Sequence, residues 1–264
     1  MEQAIVDFYE HYREEERFVT SAARRIEFLT TVRRFDRMFP APVRILDCAA
    51  GTGAYAFYLA GKGHRVTATD LTPRHVAYMR DRQAQTGLTV APAVLDATDM
   101  RCFADATFDV VLNMGAFYHL PDAQLRTKCI DESLRVLKPG GTLVVTYIPR
   151  GFLNLLTAVS AGPDGALLAQ VRDTGALRRG DPGCMWTDAY YASAAEMTAL
   201  FRARGLQITA HFAQDGAAPL FRDDIARWTP AQFDAWLAYH LSVCDDPAAL
   251  DMSNHVLIAG TKET

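Results

Sequence analysis

A chain of 264 residues, half of them apolar and 22% charged, can bury a full core and is short enough for one elaborated domain. Its net charge of −4 supplies no field for nucleic acid or an anionic membrane surface, which sets aside recognition driven by phosphate contacts. Five scattered cysteines (Cys48, Cys102, Cys129, Cys184, Cys244) without a C-x-x-C pair argue against a disulfide framework and structural zinc, and no H-x-x-x-H spacing supports another metal site.

The opening stretch MEQAIVDFYEHYREEERF carries carboxylates where a secretory leader needs Lys or Arg followed by an apolar run. No apolar stretch is long enough to span a bilayer, so the expectation is a soluble, cytoplasmic protein with no membrane partner. Residues 2–38 read as helical, because Ile5, Phe8, Tyr9 and Tyr12, then Ile26, Leu29, Val32 and Phe35, recur near helical spacing. Pro40 and Pro42 end this region, giving an N-terminal helical cap over residues 1–42. A βαβ series follows. Strands are expected at 43–48, 64–69, 88–95, 108–113 and 142–148, with helices at 54–61, 73–86 and 122–137 between them. The turn Lys138-Pro139-Gly140-Gly141 introduces the fifth strand. The last third adds a helix at 194–204 and strands at 206–212 and 253–261. Insertions at about 150–192 (helix and loop) and 213–251 (with an amphipathic stretch at 233–243) are read as lids on a domain running from 43 to 264. The fold class is therefore α/β: a Rossmann-like, mostly parallel seven-stranded sheet with helices on both faces.

The first strand and its turn, VRILDCAAGTGAYAFYLAGKGHRVTATD, decide the ligand. Gly51-Thr52-Gly53-Ala54-Tyr55-Ala56 fits the loose G-x-G-x-x-A fingerprint shared by dinucleotide sites and several other groups. Glycines there allow close backbone approach, and the ligand sits beyond the carboxyl ends of the strands. Asp47, closing that strand, repels a pyrophosphate and attracts a cationic group; as a purely structural residue it would cap loop amides. S-adenosylmethionine offers an ammonium, a sulfonium and a ribose, and Asp70 ends the second strand where a carboxylate accepts from two ribose hydroxyls.

The chain resembles class I S-adenosylmethionine-dependent methyltransferases of the small-molecule type. The resemblance is carried by ILDCAAGTGAY, VTATD, LDATDM, FDVVLNMGAFYHL and LRVLKPGGTLVVTYI, in the family's order and spacing over roughly residues 43–148. It implies that Asp47 and the turn Ala49–Gly53, with Gly51 and Gly53, line the methionine part. Asp70 would hold the ribose with Leu71 beside the adenine, Asp96 and Ala97 would meet the adenine's edge, and Asn113 to Gly115 would lie under the sulfonium. N-terminal helices of this kind fold over the cofactor in relatives, which draws in Tyr9, Tyr12 and Arg17. One departure stands out: Ala49 occupies a position where the family usually has Gly, so it needs φ below zero or tolerates strain.

Transfer of an activated methyl is an in-line displacement that needs alignment, desolvation and, for some acceptors, removal of a proton. The fourth strand ends Asn113-Met114-Gly115-Ala116, without the Asn/Asp-Pro-Pro-Tyr element of DNA amine methyltransferases, a Pro-Cys nucleophile, or paired carboxylates for magnesium. A small-molecule acceptor follows, with O- or N-methylation favoured and S-adenosylhomocysteine as the product. His119 in GAFYHLP is the candidate base, its other role being packing. Tyr12, Tyr118, Trp186 (beside Met185), Tyr190 and His240 are candidates to line the acceptor site, each with core packing as the alternative. Competing readings are an NAD-dependent oxidoreductase, a non-catalytic S-adenosylmethionine-binding protein, and an RNA methyltransferase with a basic groove. Monomer and homodimer are equally open.

Overall fold

The computed structural model describes residues 2–160, 162, 164–181, 184 and 186–263. The helix expected over residues 2–38 is broken into α1 (Glu2–His11) and α2 (Ala22–Met38), with a 3-10 turn at Glu14–Glu16 between them. The break has two causes. Ser21 adopts an extended conformation and caps α2 by accepting from the Arg24 amide. The connecting segment is also tied to a distant element: Glu15 pairs with Arg74 of α4, while Glu14 and Glu16 pair locally with Arg17 and Arg13.

The alternating series then runs β1 (Arg44–Cys48), α3 (Ala54–Gly61), β2 (Arg65–Asp70), α4 (Pro73–Thr86), β3 (Val90–Val94), β4 (Phe108–Asn113), α5 (Ala123–Val136) and β5 (Leu137–Pro149). Local chemistry sets these bounds. Pro73 opens α4 and Gly87, at φ +69°, closes it, while Asp122 caps α5 by accepting from the Gln124 and Leu125 amides. The turn expected at 138–141 is a bulge inside β5. Pairing jumps from Phe108↔Leu137 to Val110↔Thr142, and a Cβ on Gly141 would come within 2.9 Å of the Asp109 carbonyl oxygen.

After β5 come α6 (Arg150–Ser160), α7 (Gly165–Thr174), β6 (Ala176–Leu177), β7 (Ala189–Ala192), α8 (Ala194–Ala203), β8 (Leu206–Ala213), α9 (Arg222–Ile225), α10 (Pro230–Val243), α11 (Pro247–Leu250) and β9 (Val256–Lys262). Strands β3-β2-β1-β4-β5 lie in that order and pair in parallel; β9 joins β5 antiparallel, and β8 joins β9 antiparallel. These are the seven expected strands. Among the described residues the count rises to nine because the insertion after β5 holds a small hairpin. Its β7 pairs with the end of β5 through Ile148↔Tyr191 and Pro149↔Ala192, and β6 pairs with β7.

The middle of the sheet is buried on both faces, as parallel strands require. On one face Phe35, Phe57, Val76 and Met79 pack against Ile45, Val110 and Leu257. On the other, Ile130, Met197 and Phe201 pack against Leu46, Val111 and Ile258. Among the described residues no helix is long and apolar enough to cross a membrane. Order reverses between β1 and its neighbours β2 and β4, so a crevice opens above the carboxyl ends of these strands, and α1 with residues 12–21 lies over it.

Candidate active site

Two cavities share one wall. The first lies over the ends of β1, β2 and β4, and its lining includes Asp47, Ala49, Gly51, Asp70, Asp96 and Gly115. The second, of about 400 Å³, lies beyond it among Phe8, Tyr12, Tyr118, Trp186, Tyr191 and His255. Tyr9, Glu14, Arg17 and Tyr118 line both.

The turn after β1 is built on left-handed residues: Ala49 at φ +74°, Gly51 at +56° and Gly53 at +79°. The strained option open to Ala49 is thus the one adopted, at a cost of about 1–2 kcal/mol for an L-residue. Its amide and that of Ala50 both donate to the Thr69 carbonyl at 2.8 and 2.9 Å, which holds the turn to β2. Its methyl lies against Gly115, where a Cβ would approach it to 3.1 Å. Asp70 locks the same turn. Its Oδ2 accepts from the Gly51 amide at 2.8 Å, its Oδ1 accepts from the Thr72 amide at 2.9 Å, and His75 Nδ1 lies 3.1 Å from Oδ1. Asp96 is engaged by the Thr98 amide and hydroxyl at 2.7 and 2.8 Å.

Asp47 is different. It is buried, and its Oδ2 has no hydrogen-bond partner. Burial, and then the neighbouring Asp70 charge, push its carboxyl up to about 7. An orphaned carboxylate oxygen in a cavity also lined by Glu14, Asp70 and Asp96 suits a cationic, hydroxyl-bearing ligand and opposes a diphosphate. The donor set fits the methionine ammonium and ribose of S-adenosylmethionine. His75 Nε2, buried on the same wall without a partner, adds a polar atom that the sequence reading missed.

The remaining expected cofactor residues divide. Leu71 and Ala97 line the first cavity with Asp96. Gly53 does not; it caps α3, and a Cβ on it would press on Met79 and Phe57 at 3.0–3.1 Å. Asn113 does not either. Fully buried, it accepts from the Phe117 amide at 3.1 Å and donates to Cys129 Sγ at 3.0 Å, anchoring the 3-10 turn Phe117–His119.

That turn brings His119 into the first cavity with both ring nitrogens engaged: Nε2 lies 2.9 Å from the Tyr9 hydroxyl and Nδ1 3.3 Å from the Asp188 carbonyl oxygen. Burial lowers its pKa to about 4. The imidazole is neutral, because burial outweighs the Asp70 and Asp188 charges that favour its protonated form, a poor setting for accepting a proton. Tyr118 and Trp186 stack at 6.0 Å, and Trp186 lies 4.9 Å from the His119 ring. Tyr12 holds its place by accepting from Arg24 at 2.7 Å. Two expected acceptor residues fall outside both cavities. Tyr190 lies under the Arg126 guanidinium at 3.4 Å, and His240 is buried in α10 with Nε2 3.3 Å from the Gln214 carbonyl oxygen. Met185 lies outside the described residues.

The sequence reading missed a buried cluster at the shared wall. Arg17 Nη2 donates to both oxygens of Glu27 at 2.8 Å and lies 3.3 Å from His255 Nε2; its Nη1 is 3.5 Å from Glu14. His255 Nδ1 lies 3.0 Å from Asp215 Oδ2. Burial opposes the Arg17 charge, but Glu27 and Glu14 outweigh it and raise its pKa well above the usual range. Glu27, Asp215 and His255 converge closely enough to ligate a metal, and the guanidinium already stands among them as their cation.

Residues 45–141 match a family model described as a methyltransferase domain. Over 126 residues the chain is 32% identical to a ubiquinone biosynthesis O-methyltransferase of Xanthomonas axonopodis pv. citri, covering 48% of this chain and 49% of the relative. It spans about half the length of the curated relatives it matches. The PH0226 protein of Pyrococcus horikoshii shares the fold with a TM-score of 0.67 at 16% identity, over 97% of this chain and 99% of that one. The 1,6-didemethyltoxoflavin-N1-methyltransferase of Burkholderia thailandensis, solved with its substrate and S-adenosylhomocysteine, gives a TM-score of 0.60 at 16% identity, over 100% and 87%.

Proposed function

We propose that this chain, which carries a class I S-adenosylmethionine-dependent methyltransferase domain, binds S-adenosylmethionine in the first cavity and methylates a small planar acceptor held in the second. The observation that carries the reading is the pair of chambers meeting at one wall, with the orphaned Asp47 carboxylate in the chamber over the strand ends.

When bound, the cofactor supplies a methyl already activated on a cationic sulfur. What remains for the protein is placement and exclusion of water. Asp47 takes the ammonium side, Asp70 and His75 the ribose, and Leu71 with Asp96 and Ala97 the base. Gly115, where a Cβ would crowd Ala49 at 3.1 Å, would keep that part of the first cavity's wall open for the cofactor. Phe8, Tyr9, Tyr12, Tyr118 and Trp186 give the second chamber flat apolar walls suited to a ring. The O-methyltransferase named among the relatives and the N-methyltransferase among the structural neighbours agree with transfer to oxygen or nitrogen. His119 with Tyr9 forms a hydrogen-bonded part of the wall, and we assign it no base role.

Isothermal titration tests the first half: S-adenosylhomocysteine binds at micromolar Kd while NAD shows no heat. NAD binding without S-adenosylhomocysteine binding reverses the reading. Incubation of a metabolite extract with labelled S-adenosylmethionine tests the second half, the expected product being a labelled small aromatic. Cofactor binding with no labelled product from any extract would favour a binding protein.

A further inference from the structure

We infer that His255, oriented by Asp215, is the base that takes the acceptor's proton. This rests on the reading of the second chamber as the acceptor site. His255 lines that chamber, and its ring centre lies 6.3 Å from that of Tyr118, one of the four residues bordering both cavities.

The proton positions are inferred from the balance of neighbours. Two carboxylates face Nδ1, Asp215 Oδ2 at 3.0 Å and Glu27 Oε2 at 3.5 Å, and favour the ring proton there against the Asn254 amide nitrogen, a donor 2.7 Å away. Only the Arg17 guanidinium, a donor whose Nη2 lies 3.3 Å away, faces Nε2, which suits a bare nitrogen. Asp215 is fixed in turn. Its Oδ1 accepts from the His255 amide at 2.8 Å and the Ser253 hydroxyl at 3.0 Å, and the Asn254 side-chain amide lies 3.2 Å from Oδ2 and 2.7 Å from Nδ1. A carboxylate behind one nitrogen and a lone pair at the other is the arrangement in which histidine gains a proton and keeps its orientation.

His119 has neither property. Its Nε2 is held by Tyr9 at 2.9 Å, and only a carbonyl stands behind Nδ1. The Arg17 contact to His255 is longer than the 2.8 Å bonds that tie the same nitrogen to Glu27, so an acceptor proton can take its place while Arg17 stays on Glu27.

The step balances without another reagent. The acceptor O–H or N–H bond breaks and its proton goes to His255 Nε2. The freed electron pair forms the bond to the methyl carbon, and the carbon–sulfur bond opens with its pair staying on sulfur. The imidazolium faces Asp215 and Glu27, then releases its proton to solvent. The charged or titratable groups around His255 are Arg17 and Glu14 from the 12–21 segment, Glu27 from α2, Asp215 after β8, and Tyr118 from the 3-10 turn. Arg24 and Arg222 also line the chamber.

The test has two readouts. Nitrogen-15 spectra of histidine-labelled protein with S-adenosylhomocysteine bound should show His255 protonated at Nδ1 and bare at Nε2. Asp215→Asn should shift that distribution, while binding stays within about threefold. A proton on Nε2 in the unmodified protein, or a distribution indifferent to Asp215, overturns the inference whatever the acceptor is. Labelled transfer is then measured on 4-methylphenol and 4-nitrophenol at pH 8. His255→Gln should lower kcat for 4-methylphenol on the order of 100-fold, and clearly less for 4-nitrophenol, which is already ionised. Equal losses on both phenols overturn the base role. If the unmodified protein methylates neither phenol, the planar-hydroxyl reading of the acceptor fails, and the nitrogen spectra decide His255 alone.

Discussion

Asp47 binds a proton more tightly in the folded protein than in the unfolded chain: about 7 against the ordinary value near 3.9. Its contribution is therefore fully present below pH 4 and lost as pH rises through 7, unless a cation arrives. Asp47→Asn should stabilise the ligand-free protein at pH 8 by roughly 1–3 kcal/mol in urea melts, while weakening S-adenosylhomocysteine at least tenfold by titration. No change in either would detach Asp47 from the site. Ala49 makes the complementary case. Ala49→Gly relieves a left-handed residue but loosens the unfolded chain, so a gain of at most about 1 kcal/mol is expected in the same melts. Asp47, Asp70 and the glycine turn were legible because they lie within 24 residues of one another, at a strand end, a turn and the next strand end. His255 and Asp215 were not: they meet Arg17 and Glu27 only after long stretches of chain fold back, and no local spacing announces that.

At the level of elements, the strands and helices from 43 to 148 were readable from periodicity and turn chemistry. Pro73–Thr86 and Ala54–Gly61 match to the residue. The failure fell on residues 12–21, read in sequence as part of one helical region but held in a separate turn in which Glu15 pairs with the distant Arg74 while Glu14 and Glu16 pair with Arg17 and Arg13 of the same segment. Arg74 is the main anchor, donating to the Tyr12 carbonyl at 2.9 Å and to Glu15 at 2.7 Å. Arg74→Ala should leave the sheet intact by circular dichroism. It should speed tryptic cleavage at Arg13 and Arg17 severalfold, with S-adenosylhomocysteine restoring protection. Cleavage at the unmodified rate would show that the segment is held by other contacts. The β6–β7 hairpin also escaped the sequence, since a two-residue strand leaves no periodic trace.

Across the whole molecule, acid stability has an identifiable source. Burial lowers His119 and His211 to about 4 each, below the unbound value near 6.5. Both are neutral in the fold, so the unfolded chain takes up more protons in that window. The stability they lend is present above pH 6.5 and lost as pH falls toward 4. Asp47 runs the other way, so the ligand-free protein should melt highest between the two limbs. S-adenosylhomocysteine should move that maximum to higher pH, as read by thermal melts from pH 4 to 9; an unmoved maximum would argue against Asp47 facing the ligand. Folding order is constrained as well. The slot between β5 and β8 is filled by β9, so a chain leaving the ribosome carries two open strand edges until residue 262 clears the exit tunnel. Nascent chains arrested short of Val256 should therefore be chaperone clients, and the sheet should close only once β9 is available.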